Sequence, residues 1–131
     1  MDRLSSAGML GARILLSSAF LHAGIRKVFA YSATQEYMAR HGMKMTGLFA
    51  LLAILIEIAG GLSVLLGYYP RLGAAALFLF LIPTTAVFHR DFSSSAQLVQ
   101  FSKNVAIMGG LLAVVAAGGG EFTVRRKGGG A

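Results

Sequence analysis

The sequence predicts an all-α membrane protein: a four-helix transmembrane bundle with a short interfacial helix between helices 1 and 2. Hydrophobic residues make up 56% of the 131 residues, and the mean hydropathy is +0.69. A soluble domain of this size cannot bury so much apolar surface. The apolar residues form four runs, each near the ~20 residues that span hydrocarbon. No run alternates in polarity, which excludes the strands of a membrane barrel.

The four runs predict helices at about residues 8–29, 47–68, 72–88 and 103–119, within a single membrane domain that covers residues 1–131. The first run begins like a signal peptide, but Arg13 interrupts its apolar core and the run continues toward Val28. We therefore expect it to be retained as a helix. Pro83 in the third run is compatible with a membrane helix whose neighbours satisfy the freed carbonyl.

The connection between the first two runs is polar at its start and rich in methionine at its end. Ser32 with Gln35 predicts a capping box, and Gly42 predicts a helix stop. We expect a short helix here, with Tyr37 and Met38 either on the bilayer surface or over the end of the bundle. Residues 120–131 are glycine-rich and basic, which predicts a flexible tail.

The charge of the chain is +7, from twelve Lys and Arg against five Asp and Glu. We reject nucleic-acid binding, because many of the basic residues lie inside or beside apolar runs, where lipid contact, topology or an internal site explains them. The chain has no cysteine, which removes disulfides, thiolate metal sites and dithiol redox chemistry. Any redox role therefore needs a bound cofactor or a partner.

The distribution of basic residues between helix ends predicts the orientation of the chain. Arginines and lysines inside or beside the apolar runs are set aside as candidates for an internal site. Counted by the nearest helix end, all twelve Lys and Arg divide six and six, so the full count does not decide the orientation. Without Arg13, Arg26, Lys27 and Lys103, the side of the termini has more, namely Arg3, Arg71 and residues 125–127 against Arg40, Lys44 and Arg90. Positive residues are retained in the cytoplasm, so we expect both termini on the cytoplasmic side.

Glu57 is the strongest candidate for a functional residue. It lies at the centre of the apolar stretch 48–61, too far from either end to reach the membrane surface. A charge at the centre of a span costs roughly 2.5–3.5 kcal/mol on insertion, so such residues face inward and mark a site or pathway. The structural alternative is a protonated or hydrogen-bonded carboxyl that joins two helices.

The first helix offers partners for this carboxyl. Arg13, Phe20 and Lys27 recur every seven residues with Ser17 and Gly24 between them, which places a polar stripe with small residues on one face. We expect this face to point into the bundle. Arg13 and Lys27 are about 21 Å apart along the axis, so we assign them ligand-binding roles at opposite ends of a cavity.

His22 lies by helix rise at nearly the depth of Glu57. We therefore predict that His22 is the nearest ionisable neighbour of Glu57 and that the two form a catalytic, proton-exchanging pair. The alternative for a membrane histidine is a simple hydrogen bond between helices.

Basic and polar residues also converge at the helix ends opposite the termini. The first helix ends with Arg26 and Lys27, the third ends at His89, and the fourth begins with Lys103 and Asn104. Such a basic mouth suits an anionic or carbonyl-bearing headgroup with its apolar tail between the helices. The alternative is that these side chains reach out to lipid phosphate.

Metal and haem sites are poorly supported by the histidines. His22, His41 and His89 show no close pairing in sequence, so we predict no metal site. A haem held by His22 and His89 would require the third helix to lie deeper than its hydropathy places it.

The order of these motifs resembles the DoxX family of small bacterial membrane proteins. The resemblance runs from about Arg13 to Gly119 and is carried by the stretches 12–16, 57–61, 88–89 and 101–104, together with Phe20, Gly24 and Lys27. It implies a multi-pass protein of the bacterial inner membrane. Family members are linked to redox physiology, some as small subunits of thiosulfate:quinone oxidoreductase and others near quinone or oxidative-stress functions. The matching positions are Arg13, Lys27, Glu57, His89, Lys103 and Asn104, whereas His22 comes from the residue analysis alone.

Three functions follow as hypotheses. The first is an accessory subunit of a quinone-linked redox or oxidative-stress system, with no covalently bound cofactor and a quinone as ligand. The second is a non-catalytic scaffold that docks through Gly60 and Gly61 to a larger membrane complex or to further copies of itself. The third is a small permease or proton leak, suggested by Glu57 and Pro83. The chain is an enzyme only under the first hypothesis, as part of a larger oxidoreductase.

Overall fold

The computed structural model describes residues 2–88 and 91–124, which form five helices joined by short turns and contain no strand. These are α1 (Arg3–Phe29), α2 (Tyr31–Arg40), α3 (Thr46–Leu66), α4 (Pro70–Phe88) and α5 (Ser95–Ala117). All except α2 are long and apolar enough to cross a membrane. The predicted class, four membrane helices with one short helix after the first, is confirmed.

Two helices begin earlier than hydropathy predicts, because hydropathy detects the apolar part of a helix and not its cap. The Asp2 carboxylate accepts a hydrogen bond of 2.7 Å from the backbone N–H of Ser5, which starts α1 at Arg3 and lowers the pKa of Asp2. Likewise, Ser94 Oγ accepts from the N–H of Gln97 at the start of α5. The polar first turns of α5 precede the predicted start at about residue 103.

The short helix α2 is present, but its predicted cap is wrong. Ser32 lies inside α2, whose N-cap is Ala30 and has no side-chain cap. Ala30 also ends α1, so a single residue separates the two helices and leaves no room for a capping box at Ser32. The predicted stop is confirmed: α2 ends at Arg40, and Gly42 follows with φ of +81°.

Helix α3 is the centre of the bundle and packs along both α1 and α4, while α5 packs on α4 and touches α1 more sparsely. Two adjacent glycines allow the close packing of α3. A Cβ at Gly60 would lie 2.8 Å from Leu77 Cγ of α4, and one at Gly61 would lie 3.0 Å from Leu21 Cγ of α1. Both glycines are therefore in contact with helices of their own chain.

The end of the bundle at the chain termini is closed around Arg13, which is 1% exposed. Its guanidinium donates to the carbonyl oxygens of Val64 and Leu65, both at 2.8 Å, and of Gly119 and Phe122, at 2.9 and 2.8 Å. The first two are carbonyls at the end of α3 that have no partner within the helix. Arg13 thus ties the end of α3 to the segment after α5.

The segment after α5 is held by further bonds. Val124 N–H donates to Leu66 O at 2.8 Å, and Glu121 N–H donates to Ser6 Oγ at 3.1 Å. The first part of the predicted tail, residues 120–124, therefore packs on the bundle, while residues 125–131 lie outside the described residues. The N-terminal and C-terminal segments meet at one end of the bundle. That this end faces the cytoplasm stays a prediction.

Arg13→Ala should lower the free energy of unfolding by about 2 kcal/mol or more, because hydrogen bonds from a charged donor contribute about 1.5–3 kcal/mol each and four are lost. Arg13→Lys should not restore stability, because one ammonium cannot replace the planar fork. Unfolding in detergent micelles measures both, with the exposed Arg26→Ala as a control. Wild-type stability in Arg13→Ala would contradict this role.

Candidate functional site: a cavity containing a buried ion pair

All five helices contribute to a cavity of about 510 Å³ in the half of the bundle next to α2. Its walls are mostly apolar, with contributions from Phe20, Ile56 and Phe80. Among the few polar groups that line it are Lys27, Glu57 and Asn104. Cavities of about 300–1,000 Å³ with apolar walls and a few polar groups are typical of small-molecule sites.

The ion pair between α1 and α3 is the principal polar feature of this cavity. Lys27 Nζ lies 2.7 Å from Glu57 Oε1, and the two side chains are 26% and 5% exposed. Helical side chains lean toward the N-terminus of their helix, so Lys27, two residues before the end of α1, extends inward to the depth of Glu57. The pair is the only salt bridge among residues 2–88 and 91–124.

Gly24 brings the two helices close enough for this contact. A Cβ at Gly24 would lie 2.7 Å from Ile58 Cγ1 and 3.3 Å from Glu57 Cβ, so the absence of a side chain lets α1 rest directly on α3. Lys27 follows one turn later on the same face. The predicted stripe is confirmed, because Arg13, Ser17, Phe20 and Gly24 are all buried.

His22 does not pair with Glu57, and that prediction is wrong. Helix rise gives the depth of His22 along the axis of α1 but not the direction of its side chain around that axis. Residues 20 and 24 face the bundle, and His22, two positions from each, points to the opposite side and is exposed. The ionisable partner of Glu57 is instead Lys27.

The predicted basic mouth does not converge on the cavity. Arg26 and Lys103 are exposed, and neither lines it. His89 lies outside the described residues. Asn104, next to Lys103, is 6% exposed and lines the cavity, and its Nδ2 donates to Thr85 Oγ1 at 3.0 Å. The helix turn thus separates the two adjacent candidates, with Asn104 inside and Lys103 outside.

Arg13 lies at the other end of the bundle, away from the cavity. Its four hydrogen bonds to backbone carbonyls account for its burial and give it a structural role, and it does not line an end of the cavity as predicted. Its position in the sequence stripe gave its face correctly. The sequence could not predict which carbonyl groups accept from Arg13, because their residues lie far along the chain and come together only in the folded protein.

Helix α2 covers the cavity at the end of the bundle, which decides between the two predicted positions of this helix. Met38 is 6% exposed, and Tyr37 lines the cavity. The Tyr37 ring stacks on Phe88 of α4, with 5.2 Å between centroids, and His41 packs edge-on against Phe88 at 4.9 Å. Tyr31 Oη donates to the carbonyl of Gly47 at the start of α3.

The fold and this internal polar site define a four-span membrane protein with a ligand-sized cavity. The family model of DoxX matches residues 8–90, more than half of the chain. The chain is 36% identical over 126 residues to inner membrane protein YqjF of Escherichia coli (strain K12), covering 96% of this chain and 95% of that protein. It is 31% identical over 125 residues to inner membrane protein YphA of the same organism, covering 91% and 89%. No solved structure matches the chain.

The chain therefore belongs to the DoxX family and is an integral inner-membrane protein. The matched residues include Lys27, Gly24 and Glu57, which carry the ion pair and the close approach of α1 to α3. Asn104 on α5 lies beyond the matched range.

Gly24→Ala should destabilise the bundle by about 1–3 kcal/mol, the usual cost of overfilling a packed contact, because the new methyl group meets Ile58. Gly11→Ala is the matched control in the same helix, since a Cβ there has nothing within 4 Å. It should be neutral or stabilising by up to about 1 kcal/mol. Equal unfolding free energies for the two variants in the same detergent would contradict the role of Gly24.

Proposed function

We propose that this protein binds a quinone in the cavity beside the Lys27–Glu57 pair, as an accessory subunit of a quinone-linked redox or oxidative-stress system. The observation that carries the proposal is a charged pair at membrane depth that lines an apolar, ligand-sized cavity. Charged groups within membrane spans are rare, and they commonly mark a substrate or proton site.

The cavity fits the chemistry of a quinone. A quinone has a flat apolar ring with carbonyl oxygens that accept hydrogen bonds. Phe20 and Phe80 offer apolar surface for the ring, and the Lys27 ammonium offers donors beyond the one used by Glu57. The Asn104 amide provides a further polar group on the α5 side. A few polar groups in an apolar pocket fix the orientation of a ligand.

The pair also favours a neutral ligand over an anionic one. The positive charge of Lys27 is already compensated at 2.7 Å by Glu57, and the other cations of the predicted mouth that the structure describes, Arg26 and Lys103, do not line the cavity. An anion would place a second negative charge beside the buried carboxylate. A neutral carbonyl accepts from Lys27 without that repulsion, which supports a quinone over a phosphate or carboxylate headgroup.

A bound quinone would supply two-electron, two-proton chemistry. The chain has no cysteine and therefore no dithiol donor of its own, and we assign the electron donor to a partner subunit. The residues of this chain bind and orient the ring, exclude water and hold an ionisable carboxyl, Glu57, at the cavity wall. The protein is in this account a binding subunit within a larger membrane complex.

The scaffold and permease hypotheses have less support. Gly60 and Gly61 contact Leu77 and Leu21 within the chain, so they do not form a free docking face. A transport path would have to cross the other half of the bundle, where a core that includes Val64, Leu77 and Leu111 is packed. Arg13 and residues 119–124 cover the end of that half.

A unique tryptophan gives a direct binding assay, because the chain has none. Phe80→Trp places an indole in the cavity wall, and a short-chain ubiquinone should quench its fluorescence saturably. Adding Lys27→Met or Asn104→Leu should weaken binding about tenfold, the effect of losing one hydrogen bond in a dry site.

Two controls make the assay specific. Lys44→Met removes an exposed lysine outside the cavity and should leave the affinity unchanged. Leu79 is 63% exposed on the outer side of α4, so Leu79→Trp should show only unsaturable quenching. The proposal fails if no saturable quenching occurs with Phe80→Trp, or if Lys27→Met binds as tightly as the parent.

A further inference from the structure

Helices α1 and α5 lie side by side along a seam and make a close contact at the middle of α1. There a Cβ at Gly110 of α5 would lie 2.9 Å from Leu16 Cδ2 of α1, so the two helices touch. Over their whole length, α1 and α5 pack more sparsely than the other neighbouring long helices. Because the two helices are antiparallel, the residues after Leu16 run alongside those before Gly110.

On the α2 side of this contact, both edges of the seam line the cavity. Ala19 and Ala23 line it from α1, and Gln100 and Ile107 line it from α5. Ala19 and Gln100 are also exposed, so the cavity wall and the outer surface meet along this seam. Alanine side chains end at Cβ and are too short to bridge two separated helices.

At the end of the bundle, toward water, the cavity is covered by α2. Tyr37 and Met38 of α2 lie over the end of the bundle, and Tyr37 stacks on Phe88. Tyr31 fixes the start of α2 to the start of α3 through the carbonyl of Gly47. An opening beside Ala19 and Ala23 would lead sideways, at a depth within the α1 and α5 spans.

We infer that the cavity opens laterally to the bilayer between α1 and α5, and that its ligand is a lipid-soluble molecule with a long apolar tail. The polar head lies at the Lys27–Glu57 pair, and the tail passes beside Ala19 and Ala23 into the acyl chains. The identity of the head rests on the proposed function, whereas the opening does not. Lys103, seven residues before Gly110 on the same edge of α5, flanks the opening from outside.

Brominated acyl chains test this opening, because bromine quenches indole fluorescence only at short range. Phe80→Trp is reconstituted into vesicles of phosphatidylcholine brominated in mid-chain, and its indole should be quenched by chains that enter the cavity. Ala19→Leu with Ala23→Leu fills the seam and should remove most of that quenching. Leu79→Trp, on the outer face of α4, should stay fully quenched in both backgrounds.

Filling the seam should also discriminate between ligands by their tails. The double leucine variant should weaken binding of a long-chain ubiquinone by at least about fivefold, the low end of the cost of overfilling a packed site. A tail-less benzoquinone should lose much less affinity, because it has no tail to pass between α1 and α5. Ala23→Val alone, a smaller change, should show the same order of effects if the double variant does not fold.

The inference is overturned if the Phe80→Trp indole is shielded from brominated chains, or if filling the seam leaves its quenching unchanged. If quinone binding depends on Lys27 but not on filling the seam, the proposed function stands and the lateral opening is refuted. If brominated chains quench the indole in a way that depends on the seam, but no quinone binds, the lateral opening stands and the proposed function is refuted.

Discussion

The ion pair between Lys27 and Glu57 is the interaction on which the site depends. A carboxylate at the middle of a membrane span needs a partner inside the protein, since neither lipid nor bulk water can solvate it there. Lys27 meets this need at 2.7 Å, and Gly24 lets α1 approach α3 closely enough for the contact. The pair therefore joins the two helices, and it places a charge-compensated group in the wall of a cavity.

The two halves of the bundle satisfy their polar groups in different ways. At the terminal end, Arg13 donates to four carbonyls and holds the segment after α5 against α3, which leaves that half closed. At the other end, α2 covers a cavity whose polar lining groups include Lys27, Glu57 and Asn104. The closed half gives the helices a fixed arrangement, and the open half has room for a ligand. Arg13 lies in the packed half and Lys27 lies in the half with the cavity, so two cations on the same face of α1 have different surroundings.

Sequence patterns predicted the helices and the inward face of α1, because both follow from hydropathy and a heptad spacing within one helix. Sequence patterns gave wrong contacts where a contact depends on the direction in which a side chain points around its helix axis. His22 was matched to Glu57 by depth alone, yet it lies on the opposite face from Gly24. Lys103 and Asn104 were predicted together, although adjacent helical residues point about 100° apart. The partners of Arg13 could not be predicted, because they are backbone carbonyls brought together only by folding.

The most direct test of the account is native mass spectrometry of the protein released from its own membrane in mild detergent. We expect a copurified neutral molecule with the mass of a prenylated quinone on the wild-type protein. That species should be lost from Lys27→Met and retained by Lys44→Met, since only the first lysine lines the cavity. A wild-type protein that carries only phospholipid, or a quinone retained equally by Lys27→Met, would contradict the claim that the buried pair forms a quinone site.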